Sequence, residues 1–247
     1  SLRWQRFKRG LMWEKASRGV EMDDIETWIK KECRTPAGFP YLRPFTPNPK
    51  WRSAKVFVIG TNPATPLRNQ FKSFEAYWRA LTQNPEEFNK VYSREHGGGE
   101  STTTERLRIL TDGLNGINVL VTNAVWLPSS ESITIKCTQY YQGHKRLKQL
   151  IDGVKPKVIF AYGKPALGTL EKCKKIEGIQ HNYPYASDYL TPPNEQRESQ
   201  RESQSKPLVL TYPHLTGAGL PSNTKFNYKD DLRKFAQIIR EYLGKKV

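Results

Sequence analysis

Two short apolar runs, each stopping in a loop of Gly, Pro and one polar side chain, constrain this chain more than any other feature. One is Val56-Phe57-Val58-Ile59-Gly60-Thr61-Asn62-Pro63-Ala64-Thr65. The other is Leu208-Val209-Leu210-Thr211-Tyr212-Pro213-His214-Leu215-Thr216-Gly217. Runs this short and β-branched read as buried parallel strands, and the loops at their C-terminal ends line the crevice of such a sheet.

The periods between these runs fill in the rest. Met22, Ile25, Trp28, Ile29 and Cys33 fall at helical spacing, with Asp23 and Asp24 in the first turn and Lys30 and Lys31 in the last, as the helix dipole favours. A proline-rich stretch leads to a first strand at 55–60. Phe71, Phe74, Tyr77, Trp78 and Leu81 read as one helix face, and Asn84-Pro85 opens another helix with a cap and a proline at its first position. A third helix spans 103–114 and a second strand Ile117–Thr122. A helix over 139–152 precedes a third strand at Val158–Ala161. Gly163-Lys164-Pro165-Ala166 starts the next helix, a fourth strand covers 207–211, and a last helix carries Tyr228 to Leu243. Alternating strands and helices predict a three-layer α/β/α fold with a central, mostly parallel four-stranded sheet. The chain reads as one domain over 1–247, with a basic, proline-rich N-terminal extension over 1–50. Residues 187–206 are polar, repeat Gln-Arg-Glu-Ser in tandem, and read as a surface insertion.

Charge points to the partner. Forty Lys and Arg against 24 Asp and Glu give +16, beyond the ~2–8 that solubility asks of a small domain. Such an excess attracts polyanions, of which nucleic acid is the commonest. No apolar run reaches membrane-spanning length and no basic amphipathic helix has a bulky apolar face, so no membrane is expected. Nothing near Ser1 reads as a signal peptide. The cysteines, Cys33, Cys137 and Cys173, are few, scattered and odd in number, which suggests a reducing, cytoplasmic setting. They fall short of the four thiolates of an iron–sulfur cluster. Four scattered histidines without an acidic cluster give no metal site. There is no phosphate-binding P-loop, no complete dinucleotide fingerprint and no nucleophile elbow. A monomer without cofactor is expected.

Three polar residues remain at predicted strand ends: Asn62, Asn123 and His214. An amide oxygen at 62 can hold a water. An amide at 123 can accept from one edge group of a pyrimidine and donate to another. Each has a plainer reading: Asn62 as a turn residue before proline, Asn123 as a loop-bonding amide, and His214 as a structural histidine.

Together these loops resemble the uracil-DNA glycosylase superfamily over about residues 55–243. Gly60-Thr61-Asn62-Pro63 resembles the Gly-x-Asn-Pro of its mismatch-specific uracil/thymine and single-strand-selective branches, where the Asn positions the attacking water. Val119-Leu120-Val121-Thr122-Asn123 resembles the strand whose terminal Asn reads the flipped base. Tyr212-Pro213-His214-Leu215-Thr216 is similar to the His-Pro-Ser loop, with Leu215 for Pro and Thr216 for Ser; that His donates to the leaving base. Tyr77-Trp78 resembles the family's Phe-Trp pair, at a shorter spacing from Asn62. The resemblance implies a monofunctional DNA glycosylase of base-excision repair type that flips out and hydrolyses a uracil-like or C5-modified pyrimidine. It implies Asn62 and His214 as catalytic, and Gly60, Thr61, Ala64 and Asn123 as substrate-binding. Phe71, then Phe74, is expected to stack on the base. Leu220, then Leu215, is expected to wedge into the duplex, with Thr216 and Lys164 also on DNA. The alternatives are a non-catalytic nucleic-acid-binding module of the same fold, or a nucleoside or nucleotide N-glycosidase.

The 187–206 segment is too polar to bury. Deleting it is expected to leave the cooperative thermal melt intact, and a collapsed melt would show that it packs on the core.

Overall fold

The structure is a computed structural model that describes residues 22–97, 101–129, 137–172, 207–215 and 227–244. Four five-residue strands, β1 (Val56–Gly60), β2 (Val119–Asn123), β3 (Val158–Tyr162) and β4 (Leu208–Tyr212), form one sheet in the order β2-β1-β3-β4. All three pairings are parallel. β1 and β3 are buried at every position, as central strands of a covered parallel sheet must be. β2, at an edge, alternates between half-buried and buried.

Alternation sends successive side chains to opposite faces. Phe57, Ile59, Leu120, Ile159 and Ala161 join one core layer with α1 (Met22–Cys33), α2 (Phe74–Thr82), α3 (Pro85–Glu95), α5 (Cys137–Val154) and α6 (Lys164–Glu171). Val56, Val58, Val158, Phe160 and Leu210 join the other, under α4 (Thr102–Gly113) and α7 (Tyr228–Tyr242). The result is the expected three-layer α/β/α architecture. β1 connects leftward to β2, and β3 connects rightward to β4. The connections therefore part between β1 and β3, which is where open α/β sheets form their crevice.

Local chemistry sets the element ends. Asn84 accepts from the Glu87 N–H at the start of α3, with Pro85 in the first turn. The Ser73 side chain accepts from the Ala76 N–H, so α2 begins at Phe74 and leaves Phe71 in the preceding turn, outside the helix expected to carry it. β2 starts at Val119, two residues later than expected. Gly116 takes a φ of 81° and the Ile117 N–H donates to Leu114 O, so Ile117 closes the turn after α4 instead of opening the strand.

The boundary at residue 50 needs correction. Ile25, Ile29, Cys33 and Phe45 are fully buried in the first core layer. The 41–46 segment runs antiparallel along the β2 edge through a Phe45–Thr122 bridge, with Arg43 N–H donating to Trp126 O and Thr46 N–H to Val121 O. Residues 22–50 thus wall the sheet and cap its open edge. The helical spacing of Ile25, Ile29 and Cys33 marked an apolar face but not the core it enters, and the proline-rich composition of the following stretch gave no sign that it lies along the sheet edge. Residues 1–21 and 187–206 lie outside the described residues.

Truncating Ile29 to Ala is expected to cost ~2–5 kcal/mol, as a fully buried aliphatic does. Chemical denaturation of the full chain checks this; an unchanged midpoint would return residues 22–50 to the status of an appendage.

Candidate functional site

The strand register builds the site. Gly60 is paired with Asn123 on one side, and the β1–β3 register carries it opposite Tyr162, which pairs in turn with Tyr212. Asn123, Gly60, Tyr162 and Tyr212 therefore form one row across the C-terminal end of the sheet, all on the α4/α7 face. Gly60 is the gap in that row. A Cβ built there would lie 2.3 Å from the Tyr162 hydroxyl oxygen and 3.1 Å from Asn123 Oδ1, so only glycine lets these two groups approach over the β1 backbone. The Tyr162 hydroxyl and the Asn123 amide make no hydrogen bond to any described residue. The loop-bonding alternative for Asn123 is thus not what the structure contains. Burial pushes the Tyr162 pKa up to about 12, so its hydroxyl keeps its proton at neutral pH and can donate.

His214 enters from β4. Its ring packs edge-on to Tyr162, centroids 6.0 Å apart, and sits against Gly163, where a Cβ would meet the imidazole at 2.8 Å. Gly163 has a φ of 82° and opens α6. Burial lowers the pKa of the half-buried His214, holding it neutral. The N-terminal end of α6, with its partial positive charge, adjoins the ring and favours a neutral imidazole. Lys164, the first residue of α6, is exposed.

Asn62 is held differently. Its Nδ2 donates to Pro63 O at 3.1 Å and to Ser129 O at 3.0 Å. Two carbonyl partners fix the amide orientation and leave Oδ1 as the acceptor for other groups. The Ser129 N–H in turn donates to Pro63 O, so the loop after β2 clamps the loop after β1. The Ala124 and Val125 N–H groups extend that clamp to the carbonyls of Gly60 and Thr61. Ala64 is half-buried beside it.

Two expectations are corrected. Phe71 and Phe74 belong to the core layer on the opposite face from the Asn123–Gly60–Tyr162 row. Phe74 is surrounded by Tyr41, Tyr77, Trp78 and the Arg34 guanidinium, and Phe71 packs on Tyr77 and Phe88. Both are core aromatics, Phe74 in the first turn of α2 and Phe71 in the turn before it. Leu215 is fully buried, with its carbonyl held by Arg106, so it is not a surface wedge. Thr216 and Leu220 lie outside the described residues.

Three residues at or near these strand ends drew no role from the sequence. Tyr162 falls just beyond the strand expected at Val158–Ala161, yet it is the last residue of β3 and its hydroxyl reaches over the glycine opposite it. Ser129 contributes a backbone carbonyl, which no side-chain pattern reveals. Arg43 is 7% exposed and has no carboxylate partner among the described residues. A buried cation without a counter-ion is costly. Its guanidinium lies 4.9 Å from the Tyr92 ring centroid, Tyr92 stacks on His96, and His96 Nδ1 lies 2.8 Å from Thr65 Oγ1. This chain leads from the β2 edge to the Asn62 loop.

Among the described residues no group of His, Cys, Asp and Glu could hold a metal ion, and no helix is long and apolar enough to cross a membrane. No protein-family model matches the chain, and no curated protein matches it.

His214 gives a pH test. Its native pKa lies below the ordinary 6.5. As pH falls below 6.5 the unfolded chain takes up this proton before the native state does. His214 therefore favours the fold above 6.5, and that contribution is lost as pH drops toward the lower native value. The imidazole proton resonances of His214 are expected to titrate with a midpoint below 6.5; a midpoint at or above it would remove the neutral-histidine reading.

Proposed function

We propose that the chain is a monofunctional DNA glycosylase that flips a pyrimidine nucleotide into the crevice between β1 and β3 and hydrolyses its glycosidic bond. The observation that carries the reading is the contrast between two amides at the strand ends. Asn62 is pinned by two carbonyls with its oxygen left to accept, whereas Asn123 has no partner among the described residues. A pinned acceptor suits a bound water, and an unbonded amide suits the edge of a base that supplies the missing partners. Basic side chains and loop N–H groups hold the phosphates.

Chemistry follows from these states. An amide is a weak base, so Asn62 orients a water beneath the sugar C1′ without strongly activating it. The glycosidic bond then breaks largely before attack, and negative charge develops on the leaving base. Neutral His214, with the α6 N-terminus behind it, stabilises that charge by donation, and the Tyr162 hydroxyl is a further donor at the same strand ends. No lysine acts as nucleophile, so the product is an abasic site in an uncut strand.

Ala64 bears on the choice of base. It follows Pro63 in the Asn62 loop, at the position where the resembled uracil-specific branch carries a bulky tyrosine that blocks C5 substituents. A methyl group leaves that space open, and the Asn123 amide, turned over, can read a cytosine edge as well as a uracil edge. Pyrimidines with C5 substituents, modified cytosines among them, are therefore within the proposed substrate range.

Incubation with oligonucleotides carrying a panel of bases, followed by alkali, reads abasic-site formation directly. Replacing Asn62 or His214 by Ala is expected to slow excision by ~100-fold or more with the fold intact. Near wild-type rates in both would sink the mechanism. On the same panel Ala64→Tyr is expected to suppress excision of C5-substituted bases while sparing uracil. A wild-type enzyme that removes uracil and rejects every C5-substituted base would show that Ala64 is no gate. Activity on free nucleotides that ignores salt and strand length would point instead to a nucleotide N-glycosidase.

A further inference from the structure

We propose that a basic trough between α1 and α5 is a second nucleic-acid surface, which holds single-stranded DNA running away from the strand ends. The proposal rests on DNA being the partner, but not on the excision chemistry. Two adjoining grooves, of about 390 and 460 Å³, share Glu32, Gln142 and Arg146 and so form one trough. Val125 and Leu127, from the loop after β2, line one groove, and Trp28, which packs on Trp126 of the same loop, lines the other with Gln149. Along α5 the walls run from Gln139 to Gln149, about 15 Å at ~1.5 Å per residue.

The lining suits one kind of occupant. Lys31, Arg34, Lys145, Arg146 and Lys148 face a single acid, Glu32. Arg146 neutralises Glu32, while Arg34 and Lys148 are engaged with Glu75 and Asp152. Lys31 and Lys145 have no carboxylate partner among the described residues. Phe39 and Tyr141, 61% and 58% exposed, are two of the three exposed large apolar side chains among the described residues. Phe39 lines the trough, and Tyr141 flanks it one helical turn before Lys145, whose Nζ lies 4.6 Å from the Tyr141 ring centroid. Separate exposed rings beside cations that lack a carboxylate partner do not make the contiguous apolar patch of a protein interface. They match a strand that offers π-faces and phosphates in alternation, where stacking supplies affinity without reading sequence. Duplex DNA keeps its base faces covered and gains nothing from the rings.

Fluorescence anisotropy of the full chain with a labelled single-stranded oligonucleotide of unmodified bases reads this binding without excision. The Phe39→Ala/Tyr141→Ala variant is expected to bind the single strand at least ~10-fold more weakly, as the loss of base stacking implies. The Lys31→Ala/Lys145→Ala variant is expected to flatten the dependence of log K on log salt by about 0.7 for each phosphate it no longer neutralises. Affinity of the ring variant for a blunt duplex stays within about twofold of the unsubstituted chain. All four side chains are exposed, so unchanged thermal melts are expected and check that the variants fold. Unaltered single-strand binding in both variants overturns the trough, and an equal loss on blunt duplex overturns its single-strand character. Failure of the unsubstituted chain to bind any DNA at low salt would overturn the DNA reading itself, whereas loss of excision alone in Asn62→Ala leaves the trough standing.

Discussion

Parallel pairing of β1 between β2 and β3 places one glycine where two polar side chains have to meet. Gly60 lies in a row with Asn123 and Tyr162, and the missing Cβ is what lets the amide and the phenol approach over the β1 backbone. A one-residue slip in either pairing would turn a whole strand over and send Asn123 or Tyr162 into the opposite layer. Register is secured from both sides. Val56, Val58, Val158 and Phe160 must stay under α4 and α7, while Phe57, Ile59 and Ile159 must stay under the helices of the other layer. The core thus sets the position of these side chains by refusing any other register.

The loops beyond the strands inherit this order. Donation from the Ala124 and Val125 N–H groups to Gly60 and Thr61 continues the sheet past its last residues, and Ser129 closes the clamp on Pro63 and Asn62. Asn62 therefore has little rotational freedom, which is the property a water-positioning group needs. His214 is placed by β4 and kept neutral by burial. The site works with neutral donors and acceptors set in a strongly basic chain. In the function proposed above, charge would attract the polyanion at range, and uncharged groups would act where a charge is costly to bury.

Arg43 departs from that division. It is a buried cation, cushioned by Tyr92 and without a carboxylate among the described residues, at the junction of the edge-capping segment and the loop after β2. Its position shows that residues 22–50 do more than cover an edge. They bring charge and aromatic surface to the same end of the sheet as Asn62 and Asn123, and α1 supplies one wall of the basic trough.

The sequence by itself determined the alternation of strands and helices, the three layers and the strand-end positions of Asn62, Asn123 and His214. These follow from local rules: β-branched runs bury, apolar residues at helical spacing share a face, and prolines, glycines and caps end elements. Only the tertiary structure decided which residues share a layer. Phe71 and Phe74 have the aromatic character that stacking requires, yet periodicity reports that a face is apolar, not which core it enters. Leu215 follows a loop histidine and is nonetheless fully buried, because Arg106 and the α7 layer enclose it. Tyr162 shows the converse: a residue expected just past the third strand ends it instead, and its hydroxyl reaches Asn123 across β1 because its neighbour in the sheet has no side chain. That distinction depends on which strand lies beside which, a relation between residues about a hundred apart that no local pattern carries.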